Sequence, residues 1–303
     1  MKIFHKKSKN NSYMAAMSSN TEKSQSLLGQ IMGRLKENKG AMAGLAILLV
    51  ILVVSFVGPL FCPYGYNDMV MSDRFVAPCA KHFFGTDGYG RDVFVRILYG
   101  GRFSLLLGLS GAVVSLVIGI ILGLLDGYVG GTFDIVFMRV MDIWSAIPGT
   151  LLSIIISTAL GPGFVNTIIA LSIGSVPLTV RLLRGQILSV RKEEYLEAAM
   201  SINASPLRIM FRHILPNVIS PVIVSTTMNV GSIITSAAAL SYLGLGIQPP
   251  NPEWGAMLSA GKTYASVYPW LVLFPGCAIA IIVLSVNMFG DGLRDAIDPK
   301  MKN

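Results

Sequence analysis

The chain has 303 residues, 53% of them hydrophobic and 13% charged, with a net charge of +8 and three cysteines. Ordinary soluble domains carry about 25% charged residues. With a mean hydropathy of +0.64, the composition excludes such a domain and points to an integral membrane protein.

Residues 1–40 form a Ser/Asn/Lys-rich tail holding Lys2, Lys6, Lys7, Lys9, Lys23, Arg34, Lys36 and Lys39. That composition favours disorder and contact with anionic membrane lipid. The apolar stretch 41–62 has no small-residue cleavage pattern behind it, so it reads as a retained first transmembrane helix and not as a signal peptide. Residues 63–101 are a segment rich in Pro, Gly and Asp, longer than an ordinary loop, which suggests a function or a docking role. Cys62 and Cys79 fall at or beyond the outer boundary, where a disulfide is conceivable and two free thiols are the simpler reading; Cys277 lies in a span and reads as packing.

No Asp, Glu, Lys or Arg occurs in 40–67, 103–125, 143–180, 213–252 or 263–290. Roughly 20 apolar residues cross the hydrocarbon core, and Gly161-Pro162-Gly163 splits the third interval. Six helices follow, near 41–62, 103–125, 134–159, 164–184, 218–245 and 269–290, with a compact block over 102–291 and a short tail at 292–303. The expected fold class is thus an all-α integral membrane protein with six transmembrane helices.

The second helix carries Ser115, Gly119, Gly123 and Gly127 four apart on one face, a small-xxx-small seam for an unidentified neighbouring helix. The third begins with Asp134, Arg139 and Asp142; Arg139 and Asp142, at i and i+3, read as a structural ion pair or as pathway groups. Asn229, Ser232, Thr235 and Ser236 of the fifth helix present a polar face to a substrate path or make interhelical hydrogen bonds.

Between the fourth and fifth helices lies a polar island, residues 190–216. Tyr195, Leu196, Ala199 and Ile202 share one helix face, with Glu193 and Glu194 in a first turn where negative charge suits the dipole. Asn203 suits a left-handed helix stop. Ser205 reads as an N-cap and Pro206 as the first position of a second helix. Leu207, Met210, Phe211 and Ile214 form its apolar stripe, and Pro216 ends it. Tethered to membrane helices at both ends, the pair cannot enter a nucleic-acid groove. It is either a passive surface hairpin or, as its acidic and alanine-rich patch favours, a docking element. An even number of spans puts both termini on one side, and the island's Arg191, Lys192, Arg208 and Arg212, with the flanking Arg181 and Arg184, join the basic tail there, against one Lys and one Glu in 246–268. Island, N-terminus and C-terminus are expected in the cytoplasm.

Glu197-Ala198-Ala199, Asn203 and Ile214-Leu215-Pro216 resemble the "EAA" cytoplasmic loop of ABC importer permeases, although that family has Gly where this chain has Asn203. The segments His82–Val93, Leu243–Leu258 and Phe289–Pro299 are similar to the C-type subunit of dipeptide, oligopeptide and nickel permeases, and the resemblance runs from about Arg34 to Pro299. It implies a type I importer permease fold whose island is a coupling helix seated in an ATPase subunit, through Glu194, Glu197, Ala198, Ala199, Asn203, Ser205, Arg208, Leu215 and Pro216. It further implies a homologous second permease subunit, two cytoplasmic ABC ATPase subunits that carry ATP and Mg, and an extracytoplasmic solute-binding protein. The chain itself would bind no cofactor and catalyse no reaction. The Pro249, Pro250, Glu253 and Trp254 segment, a rigid Pro-rich stretch before an interfacial Trp, reads as a plain loop or, by resemblance, as the binding-protein face. The setting would be a prokaryotic cell membrane and the cargo a peptide, with a nickel chelate as the alternative.

Other functions have weaker signals. Gly255 to Gly261-Lys262-Thr263 has five residues between its glycines where a phosphate-binding loop needs four, and no strand precedes it. Gly88-Tyr89-Gly90 lacks the third glycine of a dinucleotide fingerprint. His5, His82 and His213 are far apart and make no metal site. An ion-coupled secondary transporter needs intramembrane acids, and apart from Asp134 and Asp142 the spans have none.

Overall fold

In hydrocarbon every backbone N–H and C=O must find an internal partner, so apolar runs become helices. A computed structural model describes residues 27–297; most of the expected basic tail, and residues 298–303, lie outside the described residues. Ten α-helices are named here: α1 (Leu27–Glu37), α2 (Lys39–Val57), α3 (Val93–Val129), α4 (Gly131–Ala146), α5 (Gly149–Leu160), α6 (Phe164–Val190), α7 (Glu194–Ser201), α8 (Leu215–Tyr242), α9 (Trp254–Gly261) and α10 (Trp270–Ile297). Among the described residues there is no strand, only an isolated bridge between Thr86 and Asp92. Five helical stretches are long and apolar enough to cross a membrane, or six if the bent pair α4–α5 counts as one span.

That pair differs from the single helix expected over 134–159. α4 and α5 meet at 82°, because Pro148 cannot continue a helix and pushes the residue before it into extended backbone. Ile147 accordingly has φ −86° and ψ 121°. A charge-free run reports only hydrophobicity, so the bend was invisible to it.

α3 is the long central member. Its 37 residues span about 55 Å, well beyond the ~30 Å hydrocarbon core, so it starts earlier than expected. The Asp92 carboxylate caps it, accepting from the Val95 N–H at 2.9 Å. The small-residue seam of α3 meets α6. A Cβ at Gly119 would lie 2.5 Å from Thr179 Cγ2, and one at Gly127 would lie 2.7 Å from Ile187 Cδ1. Glycine is what allows the two backbones this approach. α10 runs on to Ile297, so residues 292–297 are helix and not tail; its Ala296 packs with Leu35 and Ala41.

The segment between α2 and α3 is clamped onto the bundle. His82 is buried, with Nδ1 2.8 Å from Asp92 and Nε2 3.4 Å from Asp73. The Phe75 ring stacks on Tyr268 at 4.3 Å and Phe84 on Phe274 at 4.0 Å. Cys62, Cys79 and Cys277 are all free thiols.

Candidate functional site

The polar island folds as an elbow. α7 ends in a paired turn: the Ala204 N–H donates to Ala199 O at 3.2 Å and the Asn203 N–H to Met200 O at 2.9 Å. This geometry needs a left-handed residue, and Asn203 supplies it with φ +56°. Ser205 occupies the following N-cap position with extended backbone, but its hydroxyl makes no cap bond. One helical turn, Pro206–Arg208, then leads into a π-helical turn, Ile209–Ile214, and directly into α8. Pro216 therefore does not end the second helix. A proline lacks the N–H for the i−4 carbonyl and collides with it; the wider π turn accommodates that defect, the Leu215 N–H bonding Met210 O.

The expected apolar stripes divide between two faces. Leu196 (1% exposed) and Ala199 (4%) point inward, with Ile209, Met210 and Ile214. Leu196, Ile209, Met210 and Ile214 join Leu124 of α3, Leu183 and Ile187 of α6, and Val218 and Val222 of α8 in one apolar cluster. Ile202 (79%) and Leu207 (66%) face outward with Met200 and Phe211, and Tyr195 is also exposed. An eight-residue helix offers only a narrow inner strip, so the rest of its apolar side chains are left uncovered among the described residues. Glu194, Glu197, Ala198, Asn203, Ser205 and Arg208 surround that outer patch and are exposed; Leu215 is half-buried and Pro216 exposed at the base of α8.

Beside the elbow, the Arg184 guanidinium bridges α4 and α3. It pairs with Asp134 (Nη2 to Oδ2 2.7 Å) and stands 3.5 Å from Asp126. Asp126 is fully buried, and neither carboxylate oxygen accepts a hydrogen bond. Sequence reasoning passed over it; an Asp ending a charge-free run was the available signal. Arg139 and Asp142 do pair, at 3.7 Å, and Asp142 also meets Arg181 at 3.2 Å. This network is exposed on α4 and α6 and does not line the cavity that holds Asn229 and Ser232, so the structure does not bring Arg139 and Asp142 together with them.

Asn229 and Ser232 instead line a cavity of about 250 Å³ with Ser236, facing Thr150 and Ser153 of α5 and Ser175 of α6. None of Asn229, Ser232 and Ser236 has a hydrogen bond to a neighbouring helix among the described residues, while the Thr235 hydroxyl is used within its own helix, donating to Gly231 O at 3.0 Å. Thr150, Ser153 and Ser175 were missed; the i, i+3 pair of hydroxyls just after Pro148 was the signal.

At the opposite end, Pro249 and Pro250 are exposed and joined by a cis bond, but Glu253 and Trp254 are buried and cannot serve as a docking surface there. The Glu253 carboxylate caps α9, accepting from the Gly255 and Ala256 N–H groups at 2.8 Å each. Burial pushes its pKa up, with these hydrogen bonds partly offsetting that. Trp254 is 2% exposed and donates from Nε1 to Ile97 O at 2.9 Å. It is a packing staple onto α3 and not an interfacial anchor. Gly255–Gly261 is helix α9, which also rules out a phosphate-binding loop.

The family model described as "Binding-protein-dependent transport system inner membrane component" matches residues 115–303. That of the "N-terminal TM domain of oligopeptide transport permease C" matches residues 26–78. The chain is 46% identical over 270 residues to a dipeptide transport system permease protein DppC of Alkalihalophilus pseudofirmus, covering 89% of each chain. It is 43% identical to a di/tripeptide permease DppC of Pseudomonas aeruginosa over 88% of this chain and 90% of that one. With an oligopeptide permease OppC of Bacillus subtilis the identity is 39%, over 93% and 92%. The inward-facing MetNI methionine ABC transporter has a chain of similar fold, with TM-score 0.53 and 19% identity over 66% of this chain and 95% of that chain.

Proposed function

The chain belongs to the inner membrane components of binding-protein-dependent transport systems, and from that premise we propose that it forms one half of the membrane pore of an ATP-driven peptide importer. The observation that carries this reading is the elbow. Its exposed apolar patch (Met200, Ile202, Leu207, Phe211) stands on a buried cluster that ties it to three membrane helices. An uncovered apolar patch rimmed by charge is the mark of a protein contact. The partner is a cytoplasmic ATPase subunit, one of two, each supplying ATP and Mg that this chain does not hold. Glu194, Glu197 and Arg208 at the rim set the register of that contact, with Ala198, Asn203, Ser205, Leu215 and Pro216 shaping it.

The elbow end carries Arg181, Arg184, Arg191, Lys192, Arg208 and Arg212, a basic cluster that by the positive-inside rule supports a cytoplasmic elbow in a prokaryotic cell. A homologous second permease completes the pore, and an extracytoplasmic solute-binding protein delivers cargo to the other end. Short peptides suit the neutral lining of hydroxyls and one amide at Asn229, Ser232, Ser236 and Thr150, groups that can exchange hydrogen bonds with a peptide backbone without trapping it by charge. Alternating access follows if elbow motion driven by ATP opens that cavity to one side and then the other.

The test is ATP-dependent uptake of a labelled dipeptide by the reconstituted importer carrying Glu197→Arg. Charge reversal on the exposed rim should cut uptake at least tenfold while the chain still inserts and folds. Uptake that survives both this change and removal of ATP would sink the reading.

A further inference from the structure

The motif His82–Val93 does more than close a loop. Arg91 and Arg96, each with a side chain only 6% exposed, share a single acidic partner, Asp87. That carboxylate is already spent: Oδ2 accepts from Arg91 Nε at 2.7 Å, and Oδ1 accepts from the backbone N–H of Tyr89 and Arg91 at 2.8 and 3.1 Å. The Arg96 guanidinium stands 3.9 Å from Asp87 Oδ2, and its one hydrogen bond among the described residues goes to the neutral Tyr66 carbonyl at 2.8 Å. A guanidinium has five N–H donors, and a buried cation without a counter-ion is unfavourable. Both arginines line a cavity of about 420 Å³ with Arg74 at its rim, three arginines against one aspartate.

We infer that this cavity is an anion pocket that receives a carboxylate side chain of the extracytoplasmic solute-binding protein. A planar guanidinium fork matches a carboxylate in two parallel hydrogen bonds, and the volume admits one Asp or Glu side chain. The pocket's position argues for a protein occupant. It lies at the start of α3, whereas the elbow packs on Leu124 towards the other end of the same 37-residue helix. It shares no lining residue with the polar cavity around Asn229. Its walls include the exposed rings of Tyr89 and Tyr264, the residue type enriched where proteins meet.

The existence of the pocket is independent of the importer reading, and only its occupant rests on it. The first arm therefore uses the full chain in nanodiscs without partners, titrated with sodium acetate against sodium chloride at equal ionic strength. Acetate should raise the unfolding temperature, by the mass action of a ligand that binds only the folded state. Arg74→Gln, at an exposed position, should weaken that shift, and Arg96→Lys, which keeps charge but loses the fork, should abolish it. No acetate-specific shift in the wild-type chain overturns the pocket and leaves the importer reading standing. The second arm measures association of the cognate binding protein with the reconstituted importer. Arg74→Glu should weaken it about tenfold or more and reduce its salt sensitivity. If association is unchanged while KM rises for peptides with a free C-terminus and not for amidated ones, the carboxylate is the cargo's and the assigned occupant is overturned.

Discussion

Leu196→Ala separates the elbow's rigidity from its contact surface. Leu196 is 1% exposed and packs among Leu124, Ile187 and Ile209, so truncation should cost about 2–5 kcal/mol, the range for buried leucines. α7 has only eight residues, fewer than the ~12–15 an isolated helix needs to persist in water. Its stability is therefore borrowed from that inner strip, where Ala199 is the only other fully inward side chain on the helix. A loss of 2 kcal/mol or more should raise the open population about 30-fold or more, at ~1.4 kcal/mol per factor of ten. Amide hydrogen exchange of residues 196–201 in nanodiscs reads this directly, and ATP-driven uptake by the assembled importer reads the consequence. Ile202→Ala is the contrast: at 79% exposure it should leave exchange within about 0.5 kcal/mol of wild type yet weaken the proposed docking of an ATPase subunit. Unchanged exchange in Leu196→Ala would show that packing does not hold the elbow. Faster exchange with undiminished uptake would show that coupling needs no rigid elbow.

Two further substitutions probe the scaffold. Gly119→Ala puts a Cβ 2.5 Å from Thr179 Cγ2, so the α3–α6 seam must part, and thermal unfolding in detergent should show a loss of about 1–3 kcal/mol. Gly185→Ala meets nothing within 4 Å and should stabilise by about 0.5–1 kcal/mol; equal effects from the two would discredit the seam. At Glu253, burial raises the folded pKa above the ordinary value of 4.5, so the folded state holds this proton more tightly than the unfolded chain does. That stabilisation is complete below the unfolded pKa and is lost as pH rises through the folded one. Glu253→Gln should flatten this fall in denaturation scans carried upward from the ordinary carboxylate range, and parallel profiles for the two proteins would contradict it.

Spans, the seam and the elbow's turn were legible because each rests on local chemistry. Charge-free runs mark hydrocarbon, four-residue spacing marks a helix face, and Asn203 marks a left-handed stop. What stayed hidden depends on neighbours distant in sequence. Pro148 looked like any residue of an apolar run, yet it turns α4 from α5 by 82°. Pro216 looked like a terminator, but the preceding turn widens to a π-helix and carries the chain through it. Glu253 and Trp254 read as surface groups because polarity and ring amphipathicity were judged without the Ile97 carbonyl and the Gly255 N–H that bury them. The apolar face expected for α7 did not hold as one face: Leu196 and Ala199 turn inward while Tyr195 and Ile202 turn outward, because the helix ends at Ser201 and Ile202 lies in the turn beyond it.

In the proposed importer these hidden features are also the ones that would transmit force. The elbow's inner strip grips Val218 and Val222 of α8 and Leu183 and Ile187 of α6. Asn229 lies seven residues beyond Val222 on the same helix, about 10 Å along its axis, and Ser175 lies on α6 two turns from Leu183. Both therefore move with the elbow if those helices move as rigid rods. The third wall, Thr150 and Ser153 of α5, is tied to α6, since the Ser153 hydroxyl donates to Ala170 O at 3.0 Å; the break at Pro148 separates it only from α4. A push on the elbow that displaces α8 relative to α6 then shifts the Asn229 wall against the other two. A straight helix over 134–159 would have joined α4 rigidly to the α5 wall, which the 82° bend at Pro148 avoids.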